Sequence, residues 1–283
     1  MATFTNQATL SYNGNTINSN TVTGNILELL NVTKTAVGGD YTANDDVTYI
    51  VSITNAGSTP YTDVTVTDNL GEYPFGMGTL VPFDYVDGSL LYYQNGVLQT
   101  APTPTSTSPL VISGITVPAN GNVILVYEVS VNSFAPLASG STITNQVSLT
   151  ADCLTAPLFA SETVAVANEA LLSITKALDP VNITGCSEIT YTFTILNSGN
   201  TPAVATDDVI ITDTFDPVLS DITVTLNGTV LTPSSYTYNE ITGEFSTLPG
   251  TITVPAATYT QDPVTGNIII TPGVTVLTVT GTI

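Results

Sequence analysis

Residues 47–53, VTYIVSI, alternate apolar and polar side chains, as a half-buried β-strand does. The same alternation recurs at residues 64–67 and 209–212. Turn signals such as Asn95-Gly96 and Asn227-Gly228 separate the strands at the spacing of a β-sandwich. No stretch has the period of an amphipathic helix. The pattern therefore predicts an all-β chain of immunoglobulin-like β-sandwiches.

The strand belongs to an internal repeat that is as long as a whole domain. Residues 47–49 (VTY) recur as residues 189–191 (ITY), and Lys34 recurs as Lys176. A repeat of this length indicates two tandem sandwiches, not a solenoid. The predicted organisation is an N-terminal donor segment at residues 1–29, a first immunoglobulin-like domain at 30–168 and an incomplete second one at 169–283.

The charge of the chain is one-sided, with a formal net charge of −21 and no His. Lys34 and Lys176 are the only two basic side chains, too few to neutralise a nucleic-acid backbone, and an anionic membrane would repel the chain. Without His, ordinary acid–base catalysis is disfavoured. We expect no nucleic-acid partner, no membrane insertion, no cofactor, no metal and no turnover enzyme.

The chain ends and the cysteines add three expectations. Residues 1–6 show neither the basic nor the apolar region of a signal peptide, so we expect no classical signal. No apolar run is long enough for a transmembrane helix. Cys153 and Cys186 are too few for a disulfide framework. They could bridge to each other or between chains, and the sequence does not choose.

The second domain lacks the segment that closes the first. The first domain ends with residues 143–149 (ITNQVSL) and 161–164 (SETV). The second runs parallel to the first through residues 252–256 and a strand at 274–279, with no closing segment after it. A copy of that segment stands at residues 4–10 (FTNQATL) and 19–22 (SNTV).

An immunoglobulin-like sandwich without its last strands exposes a sheet edge, which invites strand addition. Residues 27–30 are all that separates the N-terminal copy from the Lys34 strand. At the internal junction, the closing segment belongs to the domain that precedes it in the chain, and the next domain starts after it. The same geometry places residues 1–26 on a neighbouring molecule. The resulting contact is head-to-tail and builds a filament unless it closes a ring.

Strand parity directs three polar residues of each domain toward an apolar face. Lys34 shares a face with Val32, Asp68 with Val66, and Asn145 with Val147. In the second domain these residues are Lys176 and Asp213, with Asn6 supplied by the donor face. That donor face is formed by Phe4, Asn6, Ala8 and Leu10.

The three residues have a chemical use. Burial disfavours the charged forms of an amine and a carboxyl group, so both can be neutral. A free amine can then attack the Asn carboxamide while the protonated acid polarises its carbonyl, and ammonia leaves. This predicts an isopeptide bond between Lys34 and Asn145, with Asp68 as the acid. An intersubunit bond between Lys176 and Asn6 would use Asp213.

The motifs also carry a family resemblance. Lys34-Thr35, Gly39-Asp40, residues 47–49, residues 54–57 (TNAG) and residues 66–68 (VTD) resemble a repeat of Gram-positive surface proteins, the "conserved repeat" domain of unknown function, number eleven of its series. The chain is also similar to the isopeptide-forming sandwich domains of pilins and collagen-type adhesins. In those domains Lys comes early, Asp on a middle strand and Asn on the last.

These resemblances imply a structural function at a surface. A surface repeat without an export signal is similar to filament proteins of bacterial spore appendages. We therefore expect a self-assembling fibre subunit on a cell or spore surface, partnered by itself and by an unknown anchor protein. The alternative is a stalk or adhesin module of a larger surface protein. An enzyme acting on cell-wall sugars would need a carboxylate pair that the sequence does not show.

Several residues also have simpler interpretations. Each Lys could extend to water at a strand end, and Asp68 and Asp213 could cap turns. Asn55 and Asn197 precede glycines as turn residues do. The acidic pairs at 45–46 and 207–208 are interpreted as solvated surface rather than Ca²⁺ ligands. The tyrosines at 92–93 and 236–238 are interpreted as strand residues rather than a sugar platform.

Overall fold

The computed structural model describes residues 2–26, 29–152 and 154–283. Strands dominate these residues, with two single-turn 3-10 helices at Ala205–Asp207 and Pro233–Ser235, so the all-β prediction is confirmed. None of the helices in the described ranges could span a membrane. Cys153, one half of the possible disulfide, lies outside the described residues, and Cys186 is exposed.

Two compact units make up the chain. The first contains residues 1–132 and 143–164, and the second contains residues 133–142 and 165–283. The domain boundaries expected at residues 29 and 168 remain a proposal.

The N-terminal ribbon, residues 2–26, consists of four short strands: β1 (Ala2–Asn6), β2 (Thr9–Tyr12), β3 (Asn15–Asn18) and β4 (Val22–Ile26). β1 pairs with β4 and β2 pairs with β3, both antiparallel. Among the described strands of the chain, they pair with no others. The side chains of residues 3–23 are all exposed.

The ribbon differs from expectation in one respect. The sequence predicts one strand through residues 4–10, but Gln7 and Ala8 interrupt it. At this break Ser19 takes the place of a paired strand and satisfies the backbone of Ala8. Its N–H donates to the Ala8 carbonyl at 2.8 Å, and its hydroxyl accepts from the Ala8 N–H at 2.9 Å. With no core to pack against, nothing holds the segment in a single extended strand.

The first sandwich comprises fourteen strands: β5 (Leu30–Val37), β6 (Asp40–Tyr41), β7 (Asp46–Asn55), β8 (Tyr61–Asp68), β9 (Tyr73–Phe75), β10 (Gly78–Leu80), β11 (Phe83–Tyr85), β12 (Leu91–Gln94), β13 (Val97–Gln99), β14 (Ser106–Thr107), β15 (Leu110–Val117), β16 (Gly121–Val131), β17 (Thr142–Thr150) and β18 (Leu158–Val166). One sheet has the order β13-β12-β16-β7-β5, with β11 also on β16. The other has the order β14-β15-β8-β17-β18-β6. Both sheets therefore include strands from early and late in the domain.

Burial along β7 follows the alternation in its sequence. Val47, Tyr49, Val51 and Ile53 are buried, while the side chains between them are partly exposed. Apolar residues at every second position thus place one face of the strand in the core.

Asn55 ends β7 and ties three segments together. Its amide donates to the carbonyls of Thr59 at 2.8 Å and Pro118 at 3.0 Å, and its carbonyl accepts from Gly57 N–H. Asn197 makes the same three contacts in the second sandwich. Both asparagines are therefore turn residues, as the sequence indicates, and both are also fully buried.

The second sandwich comprises ten strands: β19 (Leu172–Asp179), β20 (Glu188–Asn197), β21 (Thr212–Thr214), β22 (Ser220–Leu226), β23 (Thr229–Val230), β24 (Tyr236–Tyr238), β25 (Glu244–Thr247), β26 (Thr258–Gln261), β27 (Ile268–Thr271) and β28 (Gly273–Thr282). The larger sheet has the order β19-β20-β28-β22-β23. A three-stranded sheet, β21-β25-β24, and a separate β26-β27 pair complete it.

The strand predicted at residues 209–212 is mostly wrong, since only Thr212 of that range lies in β21. Its counterpart β8 pairs with β15 on one side and β17 on the other, whereas within residues 165–283 β21 pairs with β25 alone. Before β21, Ile211 is held by Thr247, whose hydroxyl accepts from the Ile211 N–H at 2.9 Å. Because this N–H bonds to a side chain and not to a backbone carbonyl, the β-ladder does not extend back beyond Thr212.

Candidate functional site

Three buried polar residues meet inside the first sandwich. Lys34 lies on β5 of one sheet, while Asp68 on β8 and Asn145 on β17 belong to the other. Lys34 Nζ is 2.5 Å from Asp68 Oδ2, and Asn145 Nδ2 is 3.5 Å from the same oxygen. The structure thus brings together the three residues that the sequence predicts, around a single carboxylate oxygen.

Asp68 is oriented by two further contacts. Its Oδ1 accepts a hydrogen bond from the Leu70 N–H at 2.8 Å, so it caps the turn after β8 as well as facing the lysine. Its Oδ2 accepts from the hydroxyl of Tyr127 on β16. Turn capping and ion pairing are therefore compatible, because each uses a different oxygen.

Tyr127 is a site residue that sequence analysis missed. It lies on β16 directly opposite Tyr49 of β7, and both side chains are fully buried. In the sequence it is one apolar position of an alternating strand, with nothing to distinguish it from core. Only its register against Tyr49, a residue of the repeat, could have indicated its place.

Aromatic rings surround the amine. Lys34 Nζ is 4.3 Å from the ring centroid of Tyr49 and 5.8 Å from that of Tyr127. Such contacts partly replace the water that a cation loses on burial. Lys34 therefore ends inside the sandwich and does not extend to solvent, contrary to the simpler interpretation.

Burial changes the proton affinities of the cluster. Desolvation lowers the pKa of Lys34 to about 8, against the opposing attraction of Asp68 and Glu162. Desolvation also raises the pKa of Tyr127 well above its ordinary value, and the Asp68 charge adds to this rise. Lys34 therefore gives up its proton more readily than an exposed lysine does, while the Tyr127 hydroxyl remains a hydrogen-bond donor.

The Asn145 carboxamide is held by a backbone donor as well as by Asp68. Its Oδ1 accepts a hydrogen bond from the Gly71 N–H at 3.2 Å, which polarises the carbonyl. Gly71 has φ +74°, and a Cβ there would lie 2.5 Å from Ile143 Cγ2. Only glycine can therefore bring this N–H to the amide without displacing its neighbours.

A second cluster lies in the second sandwich and is more open. Lys176 on β19 is ion-paired with Asp213 on β21, whose Oδ1 accepts from the Thr214 N–H at 2.9 Å. Lys176 Nζ lies 4.5 Å from the Tyr191 ring centroid and 5.5 Å from that of Phe215. The third predicted member, Asn6, is exposed in the N-terminal ribbon, so its meeting with Lys176 stays a prediction.

The two clusters differ at one aligned position. β7 and β16 place Tyr127 opposite Tyr49, whereas β20 and β28 place Val279 opposite Tyr191. The second cluster therefore has no hydroxyl equivalent to that of Tyr127. Its aspartate is also less enclosed than Asp68.

The shifted pKa of Lys34 predicts how the stability of an unreacted first sandwich depends on pH. Asn145→Ala removes the amide and keeps the lysine free. The pKa of Lys34 in the folded chain, about 8, lies below its value of 10.5 in the unfolded chain. Between these two pH values the unfolded chain therefore binds more protons. Stability should therefore rise with pH across this interval. Urea midpoints measured at both ends would show the rise.

The control for this measurement is Asn145→Ala combined with Lys34→Met. It shares every other titrating group, including Tyr41, Tyr49 and Tyr127, whose pKa values are raised chiefly by burial. The difference between the two variants isolates Lys34. Equal pH dependence in both would contradict the prediction.

The remaining candidate residues serve the fold. Asp45 accepts from the Thr42 N–H at 2.8 Å, and Asp207 accepts from the Val204 N–H at 2.8 Å, so both cap turns. Tyr92 donates to a backbone carbonyl at 3.2 Å. Within the described ranges, no group of three or more acidic or cysteine side chains is arranged to hold a metal.

Comparisons with known proteins give only distant similarity. No protein-family model matches the chain, and no curated protein matches it either. The family resemblance seen in the motifs therefore stays a prediction.

Several solved structures show weak similarity to the chain. BcpA(D312A), the major pilin subunit of Bacillus cereus, is 11% identical with a TM-score of 0.40, over 95% of this chain and 66% of the pilin chain. The collagen-binding subdomain of Enterococcus faecalis surface protein ACE is 8% identical with a TM-score of 0.31, over 51% of this chain and all of the subdomain.

A family 123 glycoside hydrolase from Clostridium perfringens is 11% identical with a TM-score of 0.33. That match covers 50% of this chain, which spans 28% of the hydrolase.

Proposed function

We propose that this chain is the structural subunit of a fibre on a cell or spore surface. Copies polymerise head to tail when the N-terminal ribbon of one copy completes the second sandwich of the preceding copy. The main observation in support is a pair of exposed apolar faces whose counterparts in the first sandwich are both buried.

The acceptor face lies on β19. In the first sandwich, Leu30 and Val32 of β5 are 5% and 8% exposed. At the same repeat positions, Leu172 and Ile174 are 41% and 54% exposed. The first sandwich has β17 and β18 in its second sheet, and within residues 165–283 no strand occupies the corresponding side of β21. The exposed face is therefore the core surface that a closing segment would cover.

The donor face lies on the N-terminal ribbon. In the closing strands of the first sandwich, Ile143, Leu149 and Val164 are all buried. Their counterparts in the ribbon are Phe4, Leu10 and Val22, which are 56%, 63% and 56% exposed. Burying each such side chain contributes about 1.5–3 kcal/mol. Several together on both faces supply enough driving force for a stable contact.

Chain order favours a second copy as the donor. At the internal junction, β18 closes the first sandwich and β19 opens the second only a few residues later. The ribbon precedes β5 by a similarly short stretch. Repeating the internal arrangement puts the ribbon on a sandwich that comes before β5, and we propose that a second copy supplies that sandwich. The contact is heterologous and propagates.

A covalent bond then locks each sandwich. In the first, the Lys34 ammonium passes one proton to Asp68, and the free amine attacks the Asn145 carbonyl carbon. A new C–N bond forms to Lys34 Nζ, and the bond to Asn145 Nδ2 breaks. Asp68 gives its proton to the departing Asn145 Nδ2, which becomes ammonia. Asp68 then takes up the proton that the attacking amine releases, and this proton leaves with the ammonia as ammonium. The second sandwich uses Lys176, Asp213 and Asn6 of the next copy in the same way.

Intact-mass spectrometry and denaturing gels test this function together. The wild-type chain should lose the mass of one ammonia per bond and should give ladders that survive boiling in detergent. Asn6→Ala should abolish the ladders and keep the bond in the first sandwich. Thr5→Ala, on the opposite face of β1, is the matched control and should keep both.

Ladders that persist in both Asn6→Ala and Lys176→Ala would contradict the intersubunit bond. A chain that stays monomeric by light scattering at high concentration would contradict the fibre itself and favour the stalk or adhesin alternative.

A further inference from the structure

We infer that the second cluster is latent, and that docking of a second copy's ribbon converts Lys176 into a nucleophile and so triggers its own covalent lock. The inference rests on the proposed function and adds to it a control over when the bond forms. It concerns a cluster that already holds its lysine and acid but not its amide.

The first reason is the contrast in solvent exposure between equivalent amines. Lys34 and Asp68 have side chains that are 0% and 1% exposed, while those of Lys176 and Asp213 are 41% and 18% exposed. The bond-forming chemistry needs an amine enclosed with its acid and its amide in an apolar site, and Lys176 has neither that enclosure nor the amide. The open cluster is therefore unreactive as it stands.

The second reason is the surroundings of the Lys176 ammonium. Three rings lie within 5.5 Å of its Nζ, those of Tyr191, Phe193 and Phe215. Their faces attract a cation, and Asp213 pairs with it directly. With Val279 opposite Tyr191, no tyrosine hydroxyl competes for the aspartate. All of these contacts hold the Lys176 side chain beside Asp213.

Docking of the ribbon removes water from around Lys176. The ribbon supplies the counterpart of the closing strands that enclose Lys34 in the first sandwich. At the position of Glu162, whose charge favours protonated Lys34, the ribbon has Asn20. The ribbon thus covers Lys176 without adding a carboxylate that would hold it charged. The same movement delivers Asn6, so desolvation and substrate arrive together.

The test uses two full-length variants that form a single pair instead of a fibre. The acceptor chain carries Leu10→Asp, which disables its own ribbon. The donor chain carries Ile174→Asp, which disables its own acceptor face, and Asn6→Ala, which prevents the bond. The readout is acetylation of Lys176 by acetic anhydride, followed by peptide mass spectrometry. The acceptor chain's own N-terminal amine serves as the internal reference.

Lys176 of the acceptor chain alone should be acetylated readily. On addition of the donor chain, its rate should fall by at least about tenfold relative to the reference, because an amine inside a completed core reacts only through local opening. With Asn6 restored in the donor, the pair should become covalent. Acetylating the acceptor beforehand should prevent that bond.

The outcomes separate the two proposals. If no complex forms by size-exclusion chromatography, the donor-ribbon function fails, and the latent cluster fails with it. If the complex forms but Lys176 is acetylated at an unchanged rate, docking does not enclose the amine and the inference alone is overturned. Protection of Lys176 in the isolated acceptor chain overturns it as well.

Discussion

Leu10→Asp should keep the chain monomeric at concentrations where the wild type forms fibres. Leu10 is more exposed than Phe4, the other large apolar residue of β1 and β2 on the donor face, and its counterpart Leu149 is fully buried in the first sandwich. The change removes about 1.5–3 kcal/mol of apolar burial. It also places an unpaired carboxylate in a core, which costs several kcal/mol more. Light scattering and electron microscopy measure the loss.

Ser11→Asp is the matched control for Leu10→Asp. It adds the same charge one residue later, on the opposite face of β2, and its counterpart Thr150 is exposed in the first sandwich. This variant should polymerise like the wild type. Fibres of normal length from Leu10→Asp, or equal loss in both variants, would contradict a face-specific donor strand.

Lys34→Met should abolish the ammonia loss that belongs to the first sandwich and should strongly destabilise that sandwich. The bond would close a loop between β5 and β17, and a cross-link over roughly a hundred residues contributes about 4–5 kcal/mol. Removing the Lys34 nitrogen also takes away the amide N–H that would face Asp68 after the bond forms, and a buried acceptor that loses a donor costs about 1–3 kcal/mol. Denaturant unfolding followed by fluorescence of the buried tyrosines measures the sum.

A double variant separates these two effects. Lys34→Met with Asp68→Asn lacks the bond but has no orphaned carboxylate, so it should recover part of the stability while showing no mass deficit. Asn145→Ala keeps the ion pair and lacks only the bond. A wild type without a mass deficit, and as stable as Asn145→Ala, would contradict the cross-link.

Much of the architecture follows from alternation, because β7 buries every second residue as its sequence indicates. The same parity placed Lys34, Asp68 and Asn145 on inner faces, and the structure brings them together. Parity fails at residues 209–212 because it describes a strand's faces and not its neighbours. The segment before β21 falls short of a strand because its Ile211 N–H bonds to a side-chain hydroxyl instead of a backbone carbonyl.

The supporting contacts of the site were beyond sequence reasoning for a different reason. Tyr127 and Gly71 act through register and through a backbone N–H, and neither leaves a pattern in a single sequence. The interruption of the ribbon at Gln7 likewise depends on the absence of a core beneath it. These features are set by packing between distant segments, which periodicity does not encode.

The two ion pairs of the subunit involve every basic side chain in the chain. If both amines become amides, the assembled fibre is a polyelectrolyte of one sign, with acidic side chains and no lysine left to attract them. Neighbouring fibres would then repel one another over a distance that falls to about 8 Å in physiological salt. Lateral bundling would be governed by the ionic strength of the medium, and turbidity of a fibre suspension on adding salt would reveal it.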